Sequence, residues 1–221
     1  MRLIDIGGSL YNGLLGWSGR IPVAIEEMPP RSSGLQTFSF RISMALHSST
    51  YLETAAHLYP ERINLDQVPP NRCFLDAVVL HIPLGPNEHI ASSGIHSALT
   101  EAGEKVQAGE ALLINTGWYH RWDSPEYFLD PPHFTPDAIE AVLGMGISLL
   151  GCDSSRWDDR SDPQHHLATF FRSDVLMLAC LTNLDEVRRA RVKLVVLPLK
   201  VASCCAPCRA IVLEEAQDWL P

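Results

Sequence analysis

The sequence predicts an α/β domain in which a mixed sheet forms the core and helices flank it. Continuous apolar runs are typical of buried strands, and the chain contains four of them, at residues 77–82, 111–118, 147–153 and 192–199. Two segments have helical patterns, residues 92–102 and 135–143, and the second begins with an N-cap threonine and a proline. Such alternation favours an α/β architecture, and 221 residues with 46% hydrophobic content suffice for one domain over residues 1–221.

Three further elements are predicted. Residues 3–6 predict a first strand, which a loop rich in glycine, proline and aromatic residues follows up to residue 30. Residues 37–44 alternate between apolar and polar side chains, and they predict a strand that leads directly into a histidine-containing stretch. A short apolar helix is predicted at residues 167–171, directly after His165 and His166.

Composition and charge exclude several classes of partner. The net charge of −9 and the lack of a basic run argue against nucleic-acid binding. No apolar run approaches the ~18 residues that a membrane helix needs, and the first residues lack the apolar segment of a secretory signal. We therefore expect a cytoplasmic protein that acts on a small-molecule substrate and binds neither nucleic acid nor membrane.

The six cysteines lie inside or beside apolar segments, at positions 73, 152, 180, 204, 205 and 208. In a reducing compartment such residues usually serve as small buried hydrophobes. Cys205 and Cys208 have the Cys-x-x-Cys spacing of a redox or zinc motif, but no second pair and no thioredoxin-like context accompanies them. A structural role is the preferred interpretation.

The stretch from His47 to His57 offers the most chemistry. In extended backbone, alternate side chains lie on one side, and His47, Tyr51, Glu53 and His57 all share the odd-numbered side. Two imidazoles, a phenol and a carboxylate at one place suit either an acid–base set or a metal site. A polar strand face without function is the alternative interpretation of the same pattern.

This stretch resembles a motif of the cyclase family that includes bacterial kynurenine formamidase and isatin hydrolase. The family motif reads His-x-Gly-Thr-His-x-Asp-x-Pro-x-His, and His47, Thr50 and His57 match its first histidine, its threonine and its last histidine. Four positions differ, because the motif's glycine, central histidine, aspartate and proline are replaced by Ser49, Tyr51, Glu53 and Ala55.

The resemblance implies a metal site that these replacements weaken. In the family, the first two histidines and the aspartate hold a divalent metal that activates water. A phenol with a pKa of ~10 is a poor zinc ligand near neutral pH, so Tyr51 in place of an imidazole argues against a bound metal. We therefore favour a site without a cofactor. If zinc or manganese binds, the predicted ligands are His47, Glu53 and His57.

Other segments extend the resemblance over nearly the whole chain. Residues 116–118 match the Thr-Gly-Trp end of a family strand, residues 195–200 contain its Leu-Pro-Leu-Lys, and residues 206–210 are similar to its Ser-Pro-x-Arg-Ala. The fold that the resemblance implies is the family's swivelling β/β/α fold. It also implies a substrate pocket whose predicted binding residues are Trp17, Trp118, Tyr119, His120 and Trp122.

The second half of the family site differs again. In the family, a histidine near the start of a helix and a later glutamate complete the site. His165 or His166 is the counterpart of that histidine, and His166 is the preferred one. Ala179 stands at the glutamate position, where a methyl group neither binds metal nor transfers a proton. The predicted catalytic set is therefore His47, Tyr51, Glu53, His57 and His166.

Three functions fit this pattern. The preferred one is a metal-independent cyclase or hydrolase of secondary metabolism, in which histidine and Tyr51 act as acid and base on a small-molecule carbonyl. It would close or open a lactone, lactam, ester or amide, including cyclisation of a polyketide-like intermediate. The second is a metal-dependent amide hydrolase of the kynurenine formamidase type, and the third is a relative that binds a small molecule without catalysis. The resemblance also suggests a homodimer or larger assembly.

Overall fold

The computed structural model describes residues 1–14, 21–29, 37–159 and 165–214, except for the side chain of His165. The helices within these ranges are α1 (Ser92–Ala102), α2 (Pro136–Gly144) and α3 (His165–Arg172). The strands are β1 (Arg2–Asp5), β2 (Ala24–Met28), β3 (Ser39–Ser43), β4 (Tyr51–Glu53), β5 (Phe74–His81), β6 (His89–Ile90), β7 (Ala111–Asn115), β8 (His133–Phe134), β9 (Leu149–Cys152), β10 (Leu176–Ala179), β11 (Arg191–Pro198) and β12 (Cys205–Glu214).

Eight of these strands form one mixed sheet in the order β1-β12-β11-β5-β7-β9-β10-β4. Strands β5, β7, β9 and β10 run parallel to one another, whereas the other pairs are antiparallel. Because β4 also pairs with β12, the sheet closes on itself into a barrel. The predicted α/β class, with a mixed sheet and flanking helices, is confirmed.

The barrel has an apolar interior and an apolar outer face. Along β7, Ala111 and Leu113 belong to the interior cluster, and Leu112 and Ile114 belong to the outer one, as the alternation of a strand requires. The helices cover the outer face through buried residues that include Ile95, Ile139 and Phe170. No helix formed by the described residues has the length and apolar character needed to span a membrane.

Most predicted elements are present with shifted bounds. Helix α1 covers the predicted residues 92–102 and ends at Gly103, which adopts the left-handed conformation that glycine favours, with φ 63°. Strands β5, β7, β9 and β11 occupy the four predicted apolar runs. The sequence does not predict β10 or β12. In β12, Pro207 argues against a strand, because proline is rare inside a sheet.

The predicted strand at residues 37–44 has a different setting from the one expected. Among the described residues β3 pairs with β2 alone, and the two form a hairpin outside the main sheet. Every residue of β3 is exposed, including Phe40 at 61% and Ile42 at 48%. Irregular backbone at residues 44–50 leads from this hairpin to β4, so the histidine-containing stretch is regular strand only at Tyr51–Glu53.

Candidate active site

Strand β4 carries the centre of the candidate active site and lies between β10 and β12. Tyr51 packs into the outer apolar cluster and Leu52 into the barrel interior, so Glu53 shares the outer side with Tyr51. Thr54 ends the strand and caps a 3-10 turn over Ala55–His57, because its side chain accepts a hydrogen bond from the Ala56 amide. This turn brings His57 back beside Glu53.

The carboxylate of Glu53 holds two imidazoles. His47 Nε2 and His57 Nδ1 each lie 2.7 Å from the same oxygen, Oε1. Glu53 is only 3% exposed, whereas both imidazoles are partly exposed. Burial by itself would raise the pKa of Glu53, but the hydrogen bonds from His47 and His57 outweigh it and leave the pKa below its ordinary value. Glu53 is therefore ionised near neutral pH.

A cavity of about 290 Å³ opens beside this group. Its walls are mostly apolar, and α3 contributes Leu167 and Phe171 to them. The ring of Phe171 lies 5.5 Å from that of His57, centroid to centroid. The full lining comprises His47, Tyr51, Glu53, His57, Leu58, Ser155, Arg156, Trp157, Asp158, Leu167, Phe171 and Met177. Four predicted catalytic residues thus meet at one cavity.

Residues 155–158 also line the cavity, although no motif in the sequence predicts them as site residues. They follow β9, and sites in parallel sheets commonly form beyond the carboxyl ends of the strands. Arg156 Nε pairs with Asp158 Oδ1 at 2.9 Å. The indole Nε1 of buried Trp157 has no hydrogen-bond partner in the part of the chain that the structure describes. The polar run directly after a predicted strand is the signal that could have identified them.

Two cysteines adjoin Glu53 from the neighbouring strand. Cys205 is the ladder partner of Glu53 in the β4–β12 pair, and its Sγ lies 3.3 Å from His47 Nδ1. The sulfur atoms of Cys204 and Cys205 lie within 4.8 Å of a Glu53 oxygen and of each other. These two cysteines, which the sequence predicts to be structural, thus place their sulfur atoms beside the polar group of the site.

The opposite pKa shifts of Cys204 and His57 favour a thiolate–imidazolium pair. A hydrogen bond with Cys205, followed by one with His57, lowers the pKa of Cys204 to about 4. The hydrogen bond with Cys204, followed by the one with Glu53, raises the pKa of His57 to about 10. Near neutral pH, His57 is therefore protonated and paired with two anionic groups.

Tyr51 and Ala179 are partners in the β4–β10 ladder, so the two departures from the family pattern meet at one point. Both side chains are buried, and the ring of Tyr51 meets that of His47 edge-on with centroids 5.1 Å apart. Burial raises the pKa of the Tyr51 phenol well above its ordinary value. The phenol stays protonated near neutral pH, so it can donate a hydrogen bond but does not supply an anionic metal ligand.

The donors that remain for a metal of the family type are His47, Glu53 and His57. One ligand atom from each lies within 4.8 Å of the others. Two imidazole nitrogens and a carboxylate oxygen suit zinc or manganese. The structure thus keeps a possible three-donor set while lacking the imidazole at position 51 and the carboxylate at position 179.

Two predicted site residues lie elsewhere. His166 is buried, does not line the cavity, and has its Nε2 2.8 Å from the backbone carbonyl of Trp157. Trp118 is also buried and donates its Nε1–H to the carbonyl of Tyr127 at 2.9 Å. These placements disagree with the catalytic prediction for His166 and the substrate-binding prediction for Trp118, because each ring is buried and has a nitrogen bonded to a backbone carbonyl. The side chain of His165, the other candidate, lies outside the described residues.

The other predicted substrate-binding residues surround a different depression. Tyr119, His120 and Trp122 line an open space of about 620 Å³ together with the N-terminal loop. The hydroxyl of Tyr119 donates to the carboxylate of Asp185. Trp122 also lines a small gap that it shares with His47. Trp17 lies outside the described residues.

Comparison with known proteins agrees with this architecture. The model of the cyclase family matches residues 4–159. Kynurenine formamidase of Paracidovorax citrulli (strain AAC00-1) is 24% identical over 176 residues, which cover 79% of each chain. Among solved structures, isatin hydrolase A from Ralstonia solanacearum has a TM-score of 0.86 at 19% identity, covering 97% of this chain and 92% of that one.

A further solved structure, described as a predicted metal-dependent hydrolase from Bacillus stearothermophilus, has a TM-score of 0.78 at 17% identity. It covers 96% of this chain and 97% of that one. At such identities the two structures support the fold, and the fold expected from the sequence resemblance is confirmed.

Proposed function

The chain belongs to the cyclase family, and on this premise we propose that it hydrolyses or cyclises a small-molecule carbonyl compound by acid–base catalysis that needs no metal. Relatives are named kynurenine formamidase and isatin hydrolase, so the chain is an enzyme of the cyclase or hydrolase type. The proposed reaction opens or closes an ester, amide, lactone or lactam.

The observation that carries this proposal is the buried Glu53 carboxylate bonded to two imidazoles at the cavity. His57 is a proton donor near neutral pH, because its hydrogen bonds with Cys204 and then Glu53 raise its pKa to about 10. It can protonate the carbonyl oxygen or the leaving atom as the tetrahedral intermediate forms and collapses. His47 is bonded through Nε2 to the same carboxylate oxygen, which leaves Nδ1, 3.3 Å from Cys205 Sγ, as the nitrogen that would take the proton of the attacking water or of a nucleophile within the substrate.

The cavity favours a flat and mostly apolar substrate. Its volume of about 290 Å³ and its walls of Tyr51, Leu58 and Phe171 suit a molecule with one or two rings. An aryl amide, a cyclic amide, or a polyketide- or amide-like intermediate of secondary metabolism fits this description. The acid–base pair then meets the carbonyl group at the edge of the bound ring.

Hydrolysis of aryl formamides, cyclic amides and lactones by metal-free protein tests the proposal. We expect turnover that a chelator does not change and that His57→Ala lowers by about 10²-fold to 10⁴-fold, the usual contribution of a positioned acid or base. His89→Ala is the control, since His89 is exposed and its ring contacts His133 rather than the cavity. Turnover that disappears with the chelator, or that survives His57→Ala, contradicts the proposal.

A metal-dependent amide hydrolase is the second candidate. It is favoured by the donor atoms of His47, Glu53 and His57 and by the likeness to a protein described as a metal-dependent hydrolase. The chemistry that a zinc or manganese ion supplies at such a site is a water molecule of lowered pKa. Elemental analysis of protein purified without a histidine tag separates the two candidates. Near-stoichiometric metal together with chelator-sensitive turnover supports the second.

Two further expectations from the sequence stand as part of the proposal, namely a cytoplasmic location and a homodimer or larger assembly. All six cysteines are described and free, as is usual in a reducing compartment. The β2–β3 hairpin exposes Phe40 and Ile42, which supports contact with a second copy of the chain.

A further inference from the structure

We propose that Glu53, Cys204 and Cys205 form a binding site for a soft divalent cation, with cadmium and zinc as the ions that fit it. A carboxylate oxygen and the two sulfur atoms lie within 4.8 Å of one another. Thiolate ligands suit zinc and softer ions, whereas manganese and magnesium favour oxygen. Both cysteines lie outside the motif at His47–His57, so this donor set shares Glu53 with the one implied by the family resemblance but adds two sulfur ligands that the motif does not contain.

The backbone holds these donors in place before any ion binds. The β4–β12 ladder sets Cys205 opposite Glu53. The amide of Thr54 donates to the carbonyl of Cys204 at 2.8 Å, and this bond holds Cys204 against the end of β4. Because the strand pairing and this hydrogen bond together fix the backbone positions of all three donors, little ordering is needed on binding.

Burial gives the site a closed side and an open side. Glu53 and Cys205 are buried, whereas Cys204 is partly exposed. An ion can therefore reach the donors past Cys204 and then lose much of its contact with water. Anionic ligands around such an ion offset the cost of removing it from water.

His47 is placed to supply a fourth donor. Its Nδ1 lies 3.3 Å from Cys205 Sγ, and its Nε2 lies 2.7 Å from Glu53 Oε1. The imidazole thus contacts both a sulfur and an oxygen of the proposed set. Two sulfurs, one nitrogen and one oxygen make a four-coordinate arrangement of the kind that zinc adopts.

Occupation of this site is expected to inhibit turnover, because an ion bound to the Glu53 carboxylate competes with the hydrogen bond from His57. This consequence rests on the proposed function, since it requires the Glu53–His57 pair to be catalytic. Cation binding itself does not depend on any reaction, so the two ideas can fail separately.

Titration of metal-free, reduced protein with cadmium chloride tests the site. The absorption of thiolate-to-cadmium charge transfer in the ultraviolet reports directly on sulfur ligation. We expect one equivalent of cadmium per chain with this band, and no band in the Cys204→Ser/Cys205→Ser double variant. Cys208→Ser is the matched control, because Cys208 lies on β12 with Cys205 and is partly exposed like Cys204. Its band should equal that of the unmodified protein.

The single variant Cys204→Ser keeps the test valid if the double variant fails to fold. Loss of a direct ligand should weaken cadmium binding by at least the ~10-fold to 100-fold that loss of an outer partner costs. Cadmium that binds without the charge-transfer band, no binding, or a band that persists in the folded double variant would overturn the proposal. A normal band in protein without any turnover would instead overturn the proposed function and leave the cation site standing.

Discussion

At the scale of single residues, the site shows two linked replacements that avoid a buried, unpaired charge. Ala179 is buried and faces Tyr51 across the ladder. A glutamate at position 179, without a metal or an imidazole beside it, would leave an uncompensated carboxylate in the core, which is strongly destabilising. The neutral phenol of Tyr51 and the methyl group of Ala179 occupy the same place without that cost. The pair is therefore consistent with a site that works without the metal of the family motif.

The thiolate–imidazolium pair predicts the reactivity of Cys204. The pKa of Cys204 is lowered to about 4 and that of His57 is raised to about 10, so both charges are present between these values. The thiolate is lost as the pH falls through the lower value, and the imidazolium is lost as the pH rises through the upper one. Alkylation of Cys204 by iodoacetamide should therefore be nearly as fast at about pH 6 as at about pH 8.

Mass spectrometry of the alkylated peptides measures this, and Cys208 is the internal control. Burial raises the pKa of Cys208, so its alkylation should be slow and should increase with pH. His57→Ala should slow the alkylation of Cys204 at the lower pH, because the cationic partner is gone. A rate for Cys204 that climbs tenfold per pH unit, as for an ordinary thiol, would show that the pair does not form.

At the scale of elements, the sequence predicted the site residues that lie close together in the chain, within residues 47–57. The alternation of side chains correctly placed Tyr51 and Glu53 on one side of β4. His57 reaches Glu53 through a 3-10 turn instead of through strand alternation, so its proximity is explained by a different element from the one expected. The cysteines were missed because Cys205 and His47 are 158 residues apart in the chain, and only the closure of the sheet brings them together.

The phase of α3 explains why His166 is not in the cavity. Leu167 and Phe171 line the cavity and are four residues apart, so they share one face of the helix. His166 and Phe170 occupy the neighbouring face and are buried. A helical start was predictable from the sequence, but the face directed at the cavity depends on how the helix packs on the sheet.

Close packing around the parallel strands β7, β9 and β10 leaves no space for a side chain at Gly151. A Cβ added there would lie 2.5 Å from Leu113 Cδ2 and 3.1 Å from Leu181 Cδ1. Both leucines are fully buried in the barrel interior, so their movement requires repacking of the core. Gly151→Ala should lower the free energy of unfolding by about 1–3 kcal/mol, measured by urea denaturation.

Gly144→Ala is the matched control for this change. Gly144 is the last residue of α2, and a Cβ there would meet no atom within 4 Å. The alanine should leave stability unchanged or raise it by a few tenths of a kcal/mol, ~1 kcal/mol at most. Equal stability of the two variants would mean that the barrel interior accepts the extra methyl group.

At the scale of the whole molecule, the β2–β3 hairpin exposes apolar side chains that no other described residue covers. The helices cover the outer face of the barrel, but the β2–β3 hairpin lies outside the main sheet. Its Phe40 and Ile42 are 61% and 48% exposed, and Phe38 beside them is 63% exposed. Adjacent exposed apolar side chains of this kind commonly mark a surface that a partner covers.

We therefore expect the protein to sediment as a dimer or larger assembly in analytical ultracentrifugation. Phe40→Asp should raise the dissociation constant by about tenfold or more, because it places a charge in the contact that the ring would make. The variant should unfold at the same urea concentration at high dilution, since the Phe40 side chain contributes little to the core. Leu129→Asp changes an apolar residue that is 48% exposed elsewhere on the surface, and it should leave the assembly intact. A monomer at every concentration, or equal dissociation by both variants, would show that this hairpin is not the contact.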